Sequence, residues 1–195
     1  MLTPRDPLVA QFSTERLLAE RLSWEHLDEI RCLHGDPRVM RTLSADGNVL
    51  SDEQTRDNLR RGVEHWDREG FGLWVLRDRR TNQFVGRAGL MRYVIDDKPE
   101  VGLAYAVLSD FWNRGLATEA SLAILDIGFG RLGFGEIASW TLPANGASQR
   151  VMEKLGFRFV RDIVFAGLPH RFCRLGVAEW EQERSRRILS PGPRK

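Results

Sequence analysis

The stretch FWNRGLATEA, residues 111–120, passes from two aromatics through Asn113, Arg114 and Gly115 into an apolar run of helical spacing. The N-terminus of a helix carries about half a positive charge and several N–H donors without intrahelical partners. A bend of little side-chain bulk leading into it lets a phosphate approach those donors closely. Gly115 can take positive φ, Ala117 is small, and Arg114 and Thr118 can reach phosphate oxygens. Taken locally, the same bend serves equally well as a turn before a core helix. It is neither GxxxxGK[ST] nor GxGxxG, which argues against a P-loop or a Rossmann cofactor site.

Upstream, EVGLAYAVL (100–108) reads as a strand. Downstream, Leu116, Ala120, Ala123, Ile124 and Ile127 recur at helical spacing as far as about Leu132. EIASWTL (136–142) then alternates as a strand, and NGASQRVMEKLGF (145–157) is a short helix closed by Gly156. FRFVRDIVF (157–165) and RFCRLGVAEW (171–180) are two final strands. Toward the N-terminus, STERLLAERLS (13–23) reads as a strand. WEHLDEIRCLHGD (24–36) is a short helix stopped by Gly35 and Pro37, and residues 44–50 form a loop. Residues 51–70 are a helix opened by a Ser51/Gln54 capping box and stopped by Gly70. FGLWVLRD (71–78) and QFVGRAGLMRY (83–93) are strands joined by a polar turn. The order β-α-α-β-β-β-α-β-α-β-β predicts an α/β (α+β) domain. Its sheet is mixed and mostly antiparallel, of about seven strands, with helices on both faces. The domain spans 12–182, after a loose lead-in (1–11) and before a polar tail (183–195).

At 195 residues, one domain with a real core is expected. Hydrophobic residues make up 42% and charged residues 29%, ordinary for a globular protein. A net charge of +2 is not the footprint of a nucleic-acid binder. No apolar run approaches the roughly 18 residues of a membrane span, so no membrane partner is expected. Cys32 and Cys173 stand far apart with no CxxC, which predicts two small buried thiols in a reducing cytoplasm. The four histidines lack mutual metal spacing, so no metal is expected. His170, in GLPHRF, is a candidate substrate-loop contact.

With its neighbours in view, WNRGLATEA resembles more than a generic bend. Flanked by EVGLAYAVL and NGASQRVMEKLGF, it is similar to the GNAT superfamily of acetyl-CoA-dependent N-acetyltransferases. The closer likeness is to the ribosomal-protein-alanine (RimJ/RimL-type) branch. The likeness runs from TERLLAERLS through GFGLWVL and VGRAGL to the last strand. It implies acetyl-CoA as donor cosubstrate, with backbone groups of Val107 and Leu108 on the pantetheine arm. Backbone groups of Asn113, Arg114, Gly115, Leu116, Ala117 and Thr118 would hold the pyrophosphate, and Asn145 the arm near the thioester. Asn113 departs from the branch, which typically has glycine there.

Amine attack on a thioester needs a neutral amine, a stabilised oxyanion and a proton for the leaving thiolate. An α-amine, with a pKa of about 7.7–8.0, asks less of a base than a lysine at about 10.4. Related enzymes often carry an acid in the slot of Gly102. Glu100, two residues earlier and on the same strand face, is the candidate base. Many members use a tyrosine as acid where this chain has Met152. Ser148, four residues before it on the same helical face, is the candidate donor, and a backbone N–H near Val107 or Leu108 the oxyanion donor. The acceptor is a protein N-terminal α-amine or a small-molecule amine, with transfer direct in a ternary complex. Two other readings compete: an acyl-CoA-binding sensor without transfer, and a nucleotide-binding regulatory domain. An exposed edge strand or apolar helix face is compatible with a homodimer.

Overall fold

A computed structural model describes residues 7–44 and 46–189. The chain begins with α1 (Pro7–Ala10), β1 (Gln11–Ser13) and β2 (Leu17–Arg21). Three helices follow, α2 (Leu27–His34), α3 (Pro37–Leu43) and α4 (Asp52–Glu69). The meander β3 (Leu73–Asp78), β4 (Phe84–Ile95) and β5 (Lys98–Val107) leads to α5 (Leu116–Asp126), β6 (Glu136–Thr141) and α6 (Gly146–Leu155). The chain closes with β7 (Arg158–Phe165), β8 (Leu168–Gly176) and α7 (Val177–Leu189). The strands form one sheet in the order β1-β2-β3-β4-β5-β6-β8-β7, with β5 and β6 its parallel neighbours. It is the mixed, mostly antiparallel α/β architecture that the sequence order predicts, with eight strands instead of about seven.

Local chemistry explains the element ends. Ser51 Oγ accepts from Gln54 N–H at 3.1 Å, while the Gln54 side chain accepts from Ser51 N–H at 2.8 Å. Gly70 ends α4 with φ 74, a left-handed residue that glycine takes without Cβ strain. Pro37, by contrast, is not a stop. Asp36 accepts from the N–H groups of Arg38 and Val39, so Pro37 is the first residue of a new helix, where its missing N–H costs nothing.

The chain ends also differ from expectation. Val9 is buried and its carbonyl accepts from the Trp74 indole at 2.9 Å, so the lead-in is docked at Val9, while residues 1–6 lie outside the described residues. The expected final strand stops at Gly176, and Val177 starts a helix. Trp180 on that helix is 4% exposed and stacks on Phe129 at 5.9 Å. The tail is therefore helical as far as Leu189 among the described residues. Cys173 is buried but Cys32 is exposed, and both thiols are free. No helix among the described residues is long and apolar enough to cross a membrane.

Candidate active site

The sheet opens where its one parallel pair fails. The β5–β6 ladder is a single register pair, Gly102 with Ala138. Ser139 Oγ donates to the Leu103 carbonyl at 3.2 Å one step further on. Past that point the strands part, and a cleft of about 630 Å³ runs between Leu103–Val107 and Ser139–Leu142. Leu108 N–H donates to the Val85 carbonyl at 2.9 Å. Antiparallel alternation then turns the N–H groups of Ala106 and Ala104 toward β4, and those of Tyr105 and Val107 toward the cleft. Of the two expected backbone donors, Val107 is available and Leu108 is already used. The Val107 carbonyl is also taken, by the Trp112 indole N–H at 2.7 Å.

At one mouth of the cleft lies the bend before α5. Asn113 has φ 61 and Gly115 φ 75. Asparagine is one of the few side-chain-bearing residues that enter the left-handed region readily, so Asn113 takes the turn a glycine would. The first intrahelical bond runs from Glu119 N–H to the Gly115 carbonyl at 3.0 Å, and no side chain caps the helix. The N–H groups of Leu116, Ala117 and Thr118 thus have no intrahelical acceptor, and all three residues line the cleft with Asn113 and Gly115. Arg114 does not line it. Its guanidinium donates to the Asp110 carbonyl at 2.8 Å and lies over the Phe111 ring. Arg16 braces the bend from behind, donating to the Arg114 carbonyl at 2.8 Å and pairing with Glu119 at 2.6 Å. Sequence reading missed this clasp, because it joins positions about a hundred residues apart.

The opposite wall is α6. Asn145 Oδ1 caps it by accepting from Ser148 N–H at 3.1 Å. Ser148 Oγ is 2.8 Å from the Tyr105 hydroxyl, which also donates to the Ser148 carbonyl at 3.2 Å. Burial pushes the Tyr105 phenol up to about 12, so it is protonated at neutral pH. The serine–tyrosine pair lies on the odd-numbered face of β5, while the Val107 N–H points within the sheet plane into the gap between β5 and β6. Tyr105 itself was not singled out from sequence, because its partner arrives from a helix 43 residues later.

The even-numbered face gives a different wall. Val39 of α3 packs on Ala106, and Tyr93, Trp140, Phe165 and His170 line the cleft in edge-to-face contact. Glu100 shares this face but not the cleft. Its side chain is 10% exposed and paired with Arg174, which also holds Glu136. The acid slot at Gly102 is closed as well: a Cβ there would lie 2.7 Å from the Trp140 ring and 2.9 Å from Tyr93. The expectation that Glu100 serves as base is corrected by this placement. No Asp or Glu lines the cleft among the described residues.

His170 does line it, and its Nδ1 is 3.0 Å from the Leu168 carbonyl. A carbonyl only accepts, so Nδ1 carries the proton and Nε2 of the neutral ring keeps a lone pair. The other histidines are structural. His65 bridges the Phe71 carbonyl and the Arg92 N–H, His34 meets Thr55, and His26 meets Ser23 and Glu20. The described residues contain no group of three or more His, Cys, Asp or Glu able to hold a metal ion.

Comparison with known proteins agrees with this geometry. Residues 16–158 match the model of the acetyltransferase (GNAT) domain. The chain is 34% identical to the uncharacterized protein YkkB of Bacillus subtilis over 67% of its own length and 74% of that protein. It superposes on RimL, a ribosomal L7/L12 alpha-N-protein acetyltransferase solved with coenzyme A, with TM-score 0.69 and 16% identity. That match covers 84% of this chain and 95% of the other. Spermidine N-acetyltransferase from Vibrio cholerae, solved with CoA and spermine, aligns with TM-score 0.69 and 14% identity over 86% and 99%. A cleft through a splayed sheet, uncapped helix donors at its mouth and a family match over most of the chain lead to one identification: this protein is an acetyltransferase of the GNAT family.

Proposed function

We propose that the chain moves an acetyl group from acetyl-CoA directly to a primary amine while both are bound. The observation that carries this is the two-sided cleft. Uncapped N–H donors stand on one side of the sheet, and an aromatic wall with an oriented histidine stands on the other. The N–H groups of Leu116, Ala117 and Thr118, with the backbone of Asn113 and Gly115, suit a pyrophosphate. Asn145 keeps its amide donors for the pantetheine arm, since its oxygen is spent on the cap. The Val107 N–H faces the cleft where a thioester oxygen would gain charge.

Ser148, backed by the Tyr105 hydroxyl, delivers a proton to the departing sulfur, and Tyr105 can replenish it. The base falls to His170 Nε2 in place of the pinned Glu100. The acceptor is a protein N-terminal α-amine or a small-molecule amine. The RimL likeness supports the first and the spermidine enzyme the second. A homodimer would form at the edge strand β7, where Phe159, Val160 and Val164 are exposed, and sedimentation would detect it.

The test is thiol release from acetyl-CoA across a panel of N-terminal peptides and small amines, beside thermal shifts with acetyl-CoA, ATP and NAD. Turnover, with stabilisation by acetyl-CoA alone, is expected. Tight acetyl-CoA binding without turnover across the panel would favour the acyl-CoA sensor. Stabilisation by ATP or NAD instead would favour the nucleotide reading.

A further inference from the structure

From Gly102 to Ala106 the even-numbered face of β5 carries no side chain larger than a methyl group, and Ala104 and Ala106 line the cleft there. Val39, Thr42 and Leu43, spaced as one face of α3, line it too, with Val39 packed on Ala106. The Thr42 hydroxyl donates to the Val39 carbonyl at 3.2 Å, so its polar group is spent within the helix.

Tyr93, Trp140 and Phe165 form the wall of this half, each of them half-buried. Each ring touches the other two edge-to-face. The centroids lie 4.7 Å apart for Tyr93 and Trp140, 5.1 Å for Trp140 and Phe165, and 5.9 Å for Tyr93 and Phe165. They pack on the buried cluster of Ile95, Ala138, Ile163 and Phe172, which fixes the wall in place. Gly102 is what admits it, since a Cβ there would meet both Trp140 and Tyr93. His170 joins the wall through Phe165, with ring centroids 5.8 Å apart, and its Nε2 keeps the lone pair.

This slot offers nothing to a cation. No Asp or Glu lines the cleft among the described residues, and its cationic side chains are Arg150 and Lys154 on α6. The reacting amine is neutral when it attacks. A second ammonium on the acceptor would stay charged and lose its water against apolar groups and like charge. An aromatic cage holds a cation through bare ring faces. Here each of the three ring contacts spends a face on a neighbour's edge, a packing that a further arene can join.

We infer that the acceptor is a monoamine whose nitrogen stands a short linker away from an aromatic ring. The ring packs against Tyr93, Trp140 and Phe165 over Ala104 and Ala106, and the amine meets His170. This deepens the proposed amine acetylation and rests on it for the place of the amine. A free arylalkylamine and a peptide with an aromatic first residue share this chemistry.

The test follows thiol release from acetyl-CoA on the wild-type protein, with kcat/KM referred to the uncharged amine. Phenethylamine is set against ethylamine, aminoethyl-trimethylammonium and spermidine, and the peptide Phe-Gly-Gly against Ala-Gly-Gly. The ring-bearing acceptor should exceed its ringless partner and both cations about 10- to 100-fold, the range for burying one ring. A preference within the peptide pair marks a peptide N-terminus as the source, and its restriction to the free amines marks a small molecule. No preference for the ring in either pair, or a cation turned over as well as the ring-bearing acceptor, overturns the proposal. Y93A should shrink the ring preference to within about threefold, a ratio that a general loss of activity would not move. An unchanged ratio in folded Y93A also overturns the proposal. Should Y93A fail to fold, the wild-type series decides.

Calorimetry on the CoA-bound protein separates the slot from acetyl transfer itself. N-phenethylacetamide should bind at least about tenfold more tightly than N-ethylacetamide. That result without turnover of any amine would sink the transferase reading and leave the slot standing. Equal affinity, or binding of neither compound, sinks the slot.

Discussion

Tyr105 and Ser148 make the most specific pair in the cleft, because each explains the other's placement. The phenol is too buried to ionise near neutral pH, so its hydroxyl remains a proton source next to Ser148 Oγ. Replacing Ser148 with Ala should lower kcat about 10- to 100-fold while the KM for acetyl-CoA changes by less than about threefold, as removal of a proton donor predicts. Y105F should fall in the same range, and the double variant should be no worse than the worse single one. Additive losses in steady-state thiol release would show that the two do not act as one unit. The sequence exposes Ser148 through its place one helical turn before Met152. Tyr105 stays hidden because strand alternation shows which face it takes, not which helix covers that face. Glu100 fails for a related reason. Its local setting on the strand is right, but Arg174, brought alongside by the fold, claims its carboxylate.

At the scale of elements, α4 and the bend before α5 are the parts most plainly written in local sequence. A capping box and a terminal glycine bracket the first, and a small-residue turn opens the second. What local sequence leaves out is the support behind that turn. Arg16 ties the β1–β2 loop to the Arg114 carbonyl and to Glu119, so the bend is held by a residue about a hundred positions away. R16A should raise the acetyl-CoA Kd about tenfold, roughly the loss of one charge-assisted hydrogen bond, with little change in thermal midpoint. An unaltered Kd in a binding titration would deny the clasp any part in shaping the site. The terminal helix α7 escapes local reading because its described surface is mostly polar and its one deep anchor among the described side chains, Trp180, falls where a strand was expected to end. W180A should destabilise the protein by about 3–5 kcal/mol in urea unfolding, the usual range for a buried large aromatic. A loss below about 1 kcal/mol would mean that α7 only rests on the domain.

For the molecule as a whole, stability against acid depends on a histidine that no catalytic argument uses. His34 is 2% exposed at the end of α2, and burial, then the charge of Arg87, hold its pKa down at about 4. In the unfolded chain it titrates near 6.5. Between those values the unfolded state binds the extra proton, so folding stability is complete above about pH 6.5 and drains away as pH falls toward 4. The difference amounts to roughly 3 kcal/mol. Because the cause is partly Arg87, the loss is tied in part to the buried charge of that guanidinium. H34Q, whose amide can still meet Thr55, should therefore lose markedly less stability than wild type between pH 7 and pH 4. R87M should fall in between. Urea unfolding of the three proteins at pH 7, 5.5 and 4 measures this directly. Parallel pH slopes for wild type and H34Q would remove His34 from the account of acid sensitivity. A slope in R87M matching that of wild type would leave burial alone as its cause.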